Sequence, residues 1–472
     1  MIKILQYGEG NFLRAFAEDY FDLLNAEGLG EYSVVMIKPR PGSVKRFTDQ
    51  KCIYNIVLRG MENGHPCERV RNIRCVEDAV SPFSDPDKYY SYAEDRELKI
   101  IISNTTEAGI CFDPKDRFDV FETMTYPAKL TRFLYERFVR LGGSEESGVY
   151  ILPAELIENN ADVLKDCVDK YASIWELPDA FVKWNKTFNF YCNTLVDRIV
   201  SGYPQKDEDI RHIESILGED DKLVTIAEPF GLWAVENKGG IDKYIKSGKH
   251  SVEAVLTSDI DFYKRRKVRI LNGSHTNMVF AGLWAGHDTV YDCMTDETVR
   301  GFVSAALNYE ILPFVSEDAE ASRGFADAVL ERFMNPYLDH KLTSIALNSI
   351  SKWRARVLPS FSDHCARHGS IPKRLTAGFS FLAETYRGIY EKDGEYFASI
   401  GEKNIRMSDS PELISYFSKD RSDSRLFEFM SDSRIWGCDL SAFPGFFDAV
   451  KDTAARIRKG EVRRILEEAS HE

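Results

Sequence analysis

The residues best suited to chemistry lie in one run, Tyr263-Lys264-Arg265-Arg266-Lys267-Val268-Arg269-Ile270-Leu271-Asn272-Gly273-Ser274-His275. Wound as an α-helix at about 100° per residue, it sets Lys267, His275 and Asn272 at roughly 0°, 80° and 140°, on one side, where they converge on a single ligand. A lysine amine exchanges a proton with a carbinol or carbonyl oxygen when burial or neighbouring cations bring its pKa toward neutrality. Arg265, Arg266 and Arg269 are such cations. Asn272 and His275 would hydrogen-bond the same oxygen, and a donor aimed at developing alkoxide charge stabilises the transition state. The same run also reads as a solvated basic face or an acid-binding patch, and His275 alone as a structural histidine.

Proton exchange at a carbinol needs a hydride carrier, and the N-terminus offers a place for one. A strand at 2–5 feeds into Gly8-Glu9-Gly10-Asn11-Phe12-Leu13-Arg14, after which a helix continues through Asp19-Tyr20-Phe21. Two glycines between a strand and a helix let the backbone approach a pyrophosphate held at the helix N-terminus. Gly8, Gly10, Asn11 and Phe12 are the candidate cofactor contacts, with Arg14 a candidate phosphate partner, while Leu13 stands where the usual fingerprint has its third glycine. A glycine-rich turn with no ligand has the same spelling. The end of the second strand, Met36-Ile37-Lys38-Pro39-Arg40, has no acid for an adenosine ribose, so NAD is not separated from NADP, and Lys38 or Arg40 could meet a 2′-phosphate. Past a later strand at 99–102, Asn104, Thr105 and Glu107 lie at the carboxyl edge where open α/β sheets bind ligands, on the nicotinamide side.

These residues need a sheet to carry the loop and helices to carry the lysine. Short apolar runs at 2–5, 34–37, 100–102, 149–152 and 224–226 alternate with longer amphipathic segments, the pattern of a parallel α/β sheet covered on both faces. From about Ser258 the periodicity turns helical, at 267–283, 296–307, 322–333 and 446–466. The fold class is therefore α/β, with a sheet domain over 1–256 and a mostly α-helical domain over 257–472. A chain of 472 residues, 43% hydrophobic, is long enough for two or three domains with cores of their own.

Composition closes other classes. With 61 Lys+Arg against 75 Asp+Glu and a net charge of −14, counterion release cannot drive binding to nucleic acid. No apolar run approaches the roughly 18 residues that cross a bilayer. Nine scattered cysteines without a Cys-x-x-Cys pair read as reduced thiols. No leader is recognised at Met1, so a cytoplasmic protein is expected. His364 and His368 share a helical face, but no Glu stands between them and no third ligand is evident, so no metal is expected. Tyr263 and Lys267 form the Tyr-x-x-x-Lys pair of short-chain dehydrogenases, whose first-turn glycine pattern differs and whose chain is much shorter.

Taken in order, Gly8-x-Gly10-x-Phe12-x-Arg14, Ser103-Asn104-Thr105-Thr106-Glu107-Ala108-Gly109, Val196-Asp197-Arg198-Ile199 and Lys267-x4-Asn272-x2-His275 resemble the polyol-specific long-chain dehydrogenases, the mannitol dehydrogenase family, over nearly the whole chain. The resemblance implies an N-terminal Rossmann-like NAD-binding domain, a mostly helical substrate domain, and a site in the cleft between them. It further implies Lys267 as general acid/base, Asn193 and Asn272 polarising the substrate oxygen, His275 orienting the substrate, and no metal. The spellings SNTTEAGI, RKVRILNGSHT and Pro153-Ala154-Glu155-Leu156-Ile157-Glu158-Asn159-Asn160 are most similar to members that act on hexuronates. The implied reaction is reversible reduction of tagaturonate to altronate, with fructuronate or fructose as competing substrates. A dinucleotide-binding sensor without turnover is the alternative of a different class, and it has no use for an amine at Lys267.

Two departures from the family pattern matter. Lys264 stands where mannitol-type relatives carry an acid three residues before the lysine, leaving no such acid for a proton relay. Asn348-Ser349-Ile350-Ser351-Lys352 replaces the relatives' Asp-Gly-Ser-x-Lys, keeps the lysine, and runs into Trp353-Arg354-Ala355-Arg356. A sugar acid needs a cation for its carboxylate, and a guanidinium binds one bidentately. Lys352 with Arg354 or Arg356 is expected to hold it, the competing reading being ordinary surface or interdomain charges. The oligomeric state stays open.

Overall fold

A computed structural model describes residues 1–106, 108–218, 220–316, 319–401 and 403–471. The chain forms two compact units, 1–260 and 261–472.

In the first unit six parallel strands, β1 (Ile2–Tyr7), β2 (Tyr32–Ile37), β3 (Val76–Val80), β4 (Leu98–Ser103), β5 (Tyr150–Pro153) and β6 (Phe190–Tyr191), lie in the order β3-β2-β1-β4-β5-β6. This is the Rossmann order, which reverses between β1 and β4 and leaves a crevice at the carboxyl ends of those two strands. The strands read as unbroken apolar runs because both faces are covered. Ile4, Val34 and Ile100 pack into one core with Phe16, Tyr20 and Trp233, and Leu5, Val35 and Ile101 into another with Tyr89, Phe133 and Trp184.

One expectation about the strands is corrected. The run at 224–226 does not join the central sheet: Thr225–Ala227 pairs in parallel with Tyr54–Glu62 in a second sheet. Its expected place is taken by β6, only two residues long. Tyr54–Glu62 also pairs with His65–Ile73 in a hairpin, turned at Asn63-Gly64 with φ of 54° and 77°. Positive φ at both central residues is the type I′ geometry that Asn-Gly favours.

The second unit is built on helices. A central helix runs from Ile260–Arg266 through Lys267–Asn272 into Gly273–Trp284. Every residue from Gly273 to Leu283 is buried, polar Ser274, His275, Thr276 and Asn277 as well as the apolar residues that follow. The helix Lys373–Arg387 is likewise enclosed. Trp353 packs against Phe379 and Trp436, with ring centroids 4.7 and 5.5 Å away. One element departs from the expected helical pattern, a three-stranded antiparallel sheet of Ile389–Lys392, Glu395–Ile400 and Lys403–Arg406. Its first turn, Asp393-Gly394, has φ of 55° and 77°. Among the described residues no helix is long and apolar enough to cross a membrane, and all nine cysteines are free.

Candidate functional site

In the first unit the loop after β1 is tied down on its inner side and open on its outer side. Gly8 donates to the Ile37 carbonyl and Asn104 to the Tyr7 carbonyl, at 3.0 and 3.2 Å. Gly8 has φ of 125°, and a Cβ there would stand 3.1 Å from the Asn104 carbonyl oxygen. No other residue fits at that close approach. A Cβ at Gly10, by contrast, would meet nothing within 4 Å, so packing within the chain does not demand this glycine, and the backbone lies open to a ligand. Phe12 stacks on Phe16 with centroids 5.0 Å apart. Asn11 accepts a hydrogen bond from Arg14.

Arg14 is 3% exposed and donates inward, to the Leu223 carbonyl and to Asn11 Oδ1, so it braces the loop from below. Lys38 is also engaged, in an ion pair with Glu9 of the loop.

Beneath the loop lies a buried carboxylate. Gln6 Nε2 donates both to the Gly8 carbonyl, at 2.9 Å, and to Glu18, at 2.6 Å, while the Tyr54 hydroxyl donates to the other Glu18 oxygen. Burial, outweighing these bonds and the nearby Arg14, pushes the Glu18 carboxyl up to about 7, with Asp22 adding to the rise. A raised carboxylate holds its proton in the folded chain after the unfolded chain has lost it, so this part of the stability falls as pH rises from about 4.5 to about 7. Glu18→Gln keeps a hydrogen-bonding amide in place and should remove that fall. In urea unfolding at pH 8 the variant gains about 3 kcal/mol over its standing at pH 4.5, on the scale of about 1.4 kcal/mol per pKa unit. A pH-independent difference would mean that another group titrates.

At the end of β4 the expected polar residues are held by an acid that motif reading had placed only within a spelling. Glu155 accepts from Ser103 Oγ and from both the amide and the hydroxyl of Thr105, each at 3.0 Å, and Asn104 Nδ2 donates to the Ala154 carbonyl at 2.8 Å. Burial raises the Glu155 pKa against these bonds. Asn104 and Thr105 stay partly exposed, and Glu107 lies outside the described residues. Asn193 is 5% exposed. Its Nδ2 donates to Asp162 at 2.8 Å and Glu236 at 3.0 Å, and its Oδ1 accepts from Ala161 at the start of the helix Asn160–Ile174. Both amide hydrogens are thus used, and to polarise a substrate oxygen Asn193 would exchange a carboxylate for it. Arg198 of the Val196-Asp197-Arg198-Ile199 motif is a buried clasp, bonding the Ala15 carbonyl, Asp19 and the Glu228 carbonyl at 2.7–2.9 Å.

In the second unit the lysine-bearing run is not a uniform α-helix. Lys267–Asn272 forms a π-turn, seen in the Gly273 amide bonding to the Val268 carbonyl five residues back. Such a turn brings residue i+5 almost over residue i. Lys267 and Asn272, about 140° apart on an α-helical wheel, therefore come onto one face. Gly273 permits the fold here, since a Cβ would stand 3.0 Å from the Arg356 carbonyl oxygen. Lys267 and Asn272 are half-buried, and among the described residues no hydrogen bond uses the Asn272 side-chain amide. His275 is 8% exposed, stacks on Phe333 at 4.1 Å and meets the edge of His340 at 5.0 Å.

The cations expected to act on Lys267 are turned elsewhere. Arg269 pairs with Asp363 at 2.5 Å; Lys264, not one of those cations, pairs with Asp261 at 3.2 Å. Arg266 lies over the rings of Phe262, Tyr263 and Phe325, and Arg265 is exposed.

The helix Ser349–Arg356 separates the two arginines. Lys352 and Arg356, one turn apart, share a face that Arg354 does not. Arg354 is exposed and points to the Ile435 carbonyl and Gly437, away from the other two. Lys352 donates to the Ile345 carbonyl at 2.9 Å. Burial, then Arg356, lower the Lys352 pKa against Asp409, and burial lowers that of Arg356. Neither cation has an acid in ion-pair contact among the described residues. Tyr386 donates its hydroxyl to Asp409 at 2.5 Å. Among the described residues no metal-binding cluster occurs.

Residues 2–246 match the family model of the mannitol dehydrogenase Rossmann domain and residues 259–458 that of the mannitol dehydrogenase C-terminal domain. An altronate oxidoreductase of Escherichia coli O7:K1 is 36% identical over 474 residues, covering 97% of this chain and 95% of its own. That of Bacillus subtilis is 36% identical over 473 residues, covering 99% and 95%. Among solved structures, Pseudomonas fluorescens mannitol 2-dehydrogenase, in a ternary complex with NAD and D-mannitol, superposes with a TM-score of 0.68 at 18% identity, over 99% of this chain and 94% of that one. A substrate-free D-sorbitol dehydrogenase gives 0.77 at 21% identity, over 98% and 95%. At these identities the two structures speak for the fold.

Proposed function

Since the chain belongs to the mannitol dehydrogenase family and is an oxidoreductase acting on CH–OH groups, we propose that it interconverts D-tagaturonate and D-altronate with NAD. The observation that carries the substrate reading is the pair of half-buried cations Lys352 and Arg356, neither of which has an acid in ion-pair contact among the described residues. Half-buried positive charge without a partner is costly and is kept where a ligand supplies the anion. The names of the relatives at 36% identity agree with that reading.

Gly8 and Gly10 fit a dinucleotide, the first making the turn and the second leaving the backbone bare, and Asn104 and Thr105 stand at the end of β4 for its nicotinamide side. The bound cofactor supplies hydride to the keto carbon. In this mechanism Lys267 Nζ gives a proton to the carbonyl oxygen as the C–H bond forms, and takes it back when altronate is oxidised. Asn272 donates a hydrogen bond to the same oxygen, where its charge develops. His275, fixed by Phe333, orients the substrate. Lys352 and Arg356 hold the carboxylate, which selects a sugar acid over a neutral ketose. The free thiols suit a reducing, cytoplasmic setting.

The test is a panel of tagaturonate, fructuronate and fructose, each with NADH and NADPH. The expected result is the highest kcat/KM for tagaturonate with NADH. Activity on fructose alone would overturn the uronate assignment, and preference for fructuronate would move it to the other keto acid.

A further inference from the structure

We propose that His340 is a substrate-binding residue whose imidazole hydrogen-bonds a hydroxyl of the sugar chain between the reacting carbon and the carboxylate. The inference rests on the substrate reading above and adds a contact that no motif indicated.

The backbone at His340 is fixed. Its amide donates to the Leu338 carbonyl at 2.8 Å, its carbonyl accepts from Val290 at 3.0 Å, and Thr289 bridges the next residue, Lys341. The ring therefore has a set place. On one side it meets His275 at 5.0 Å with the planes at 84°, next to the residues assigned to the reacting oxygen. The charge of Lys352 lowers the pKa of the ring, and that of Arg356 lowers the pKa of Lys352. His340 thus links the acid/base end of the unit to its cationic end.

Its chemistry suits a hydroxyl. Among the described residues neither ring nitrogen has a hydrogen-bond partner, and the ring is only partly buried, which leaves its nitrogens open to a ligand. Burial, then Lys352, lower its pKa below the usual histidine value, which favours the neutral ring. A neutral imidazole offers one donor and one acceptor, which matches an alcohol. The carboxylate is left to the permanent cations.

The experiment compares wild type with His340→Ala and His340→Asn. With tagaturonate, His340→Ala is expected to raise KM by about tenfold or more while kcat stays within about threefold, the pattern of a lost binding contact. Calorimetry should show altronate binding the enzyme–NAD complex more weakly by a similar factor, with NADH affinity unchanged. Asparagine, which keeps a donor and an acceptor, should recover part of the loss. Unchanged KM and altronate affinity would overturn the proposal. So would a fall in kcat at constant KM, since the ring would then only support His275. If wild type reduces fructose and not uronates, the uronate reading fails, but the same comparison on fructose still decides His340, because the ketose carries a similar run of hydroxyls.

Discussion

Replacing Lys267 by alanine should lower kcat for tagaturonate reduction by about 10²- to 10⁴-fold, the usual contribution of a positioned general acid, equivalent to about 3–5 kcal/mol of barrier. NADH affinity, read by fluorescence titration, should stay within about threefold, because the dinucleotide loop belongs to the first unit and Lys267 to the second. KM should move little, since the amine acts on an oxygen whose charge appears in the transition state. Lys267→Met, which keeps the aliphatic stem, should be as slow as the alanine variant, separating loss of the proton donor from loss of packing. Added methylamine should restore part of the alanine variant's rate. Wild-type turnover in either variant would remove Lys267 from the mechanism and favour a dinucleotide-binding protein that needs no amine there.

The Rossmann sheet is legible because strands buried on both faces must be spelled with continuous apolar residues, as in Val34-Val35-Met36-Ile37 and Ile100-Ile101-Ile102. Its last strand is not, because two residues carry no periodicity. The hairpins at Asn63-Gly64 and Asp393-Gly394 had a signal in their two-residue turns, but the flanking His65–Ile73 is largely polar and exposed, so no apolar run called attention to it. The lysine, asparagine and histidine could be found by type and spacing. Their relative orientation could not, since the π-turn has no spelling of its own and coincides with the close approach of Gly273 to the Arg356 carbonyl, a tertiary fit. The same holds for direction. Arg14 turns inward because the Leu223 carbonyl, remote in sequence, waits for it, and Asn193 is drawn into carboxylates at 162 and 236. His340 belongs to no motif and meets the ring of His275 only through the fold. Sequence reveals which groups are present, and long-range packing decides which remain available.

Arg356→Met should separate the carboxylate from the rest of the substrate. Charge-assisted hydrogen bonds contribute about 1.5–3 kcal/mol each, so kcat/KM for tagaturonate should fall by about 10- to 100-fold, mostly through KM. Lysine at this position should recover little, because an ammonium cannot reproduce a bidentate guanidinium contact. Any rate on fructose should be unchanged, as a neutral ketose has nothing to lose, and Arg354→Gln should leave both substrates as in wild type because that side chain points to Ile435 and Gly437. The same substitution should also raise the thermal midpoint. Arg356 is partly buried beside Lys352 with no acid in contact among the described residues, so in the free enzyme it contributes desolvation and like-charge repulsion without a compensating pair. Methionine removes both terms and keeps the stem's packing. A site held ready for an anion costs stability until the anion arrives. Loss of uronate activity together with a higher Tm is therefore the expected signature, and loss of activity with a lower Tm would instead make Arg356 part of the fold's own packing.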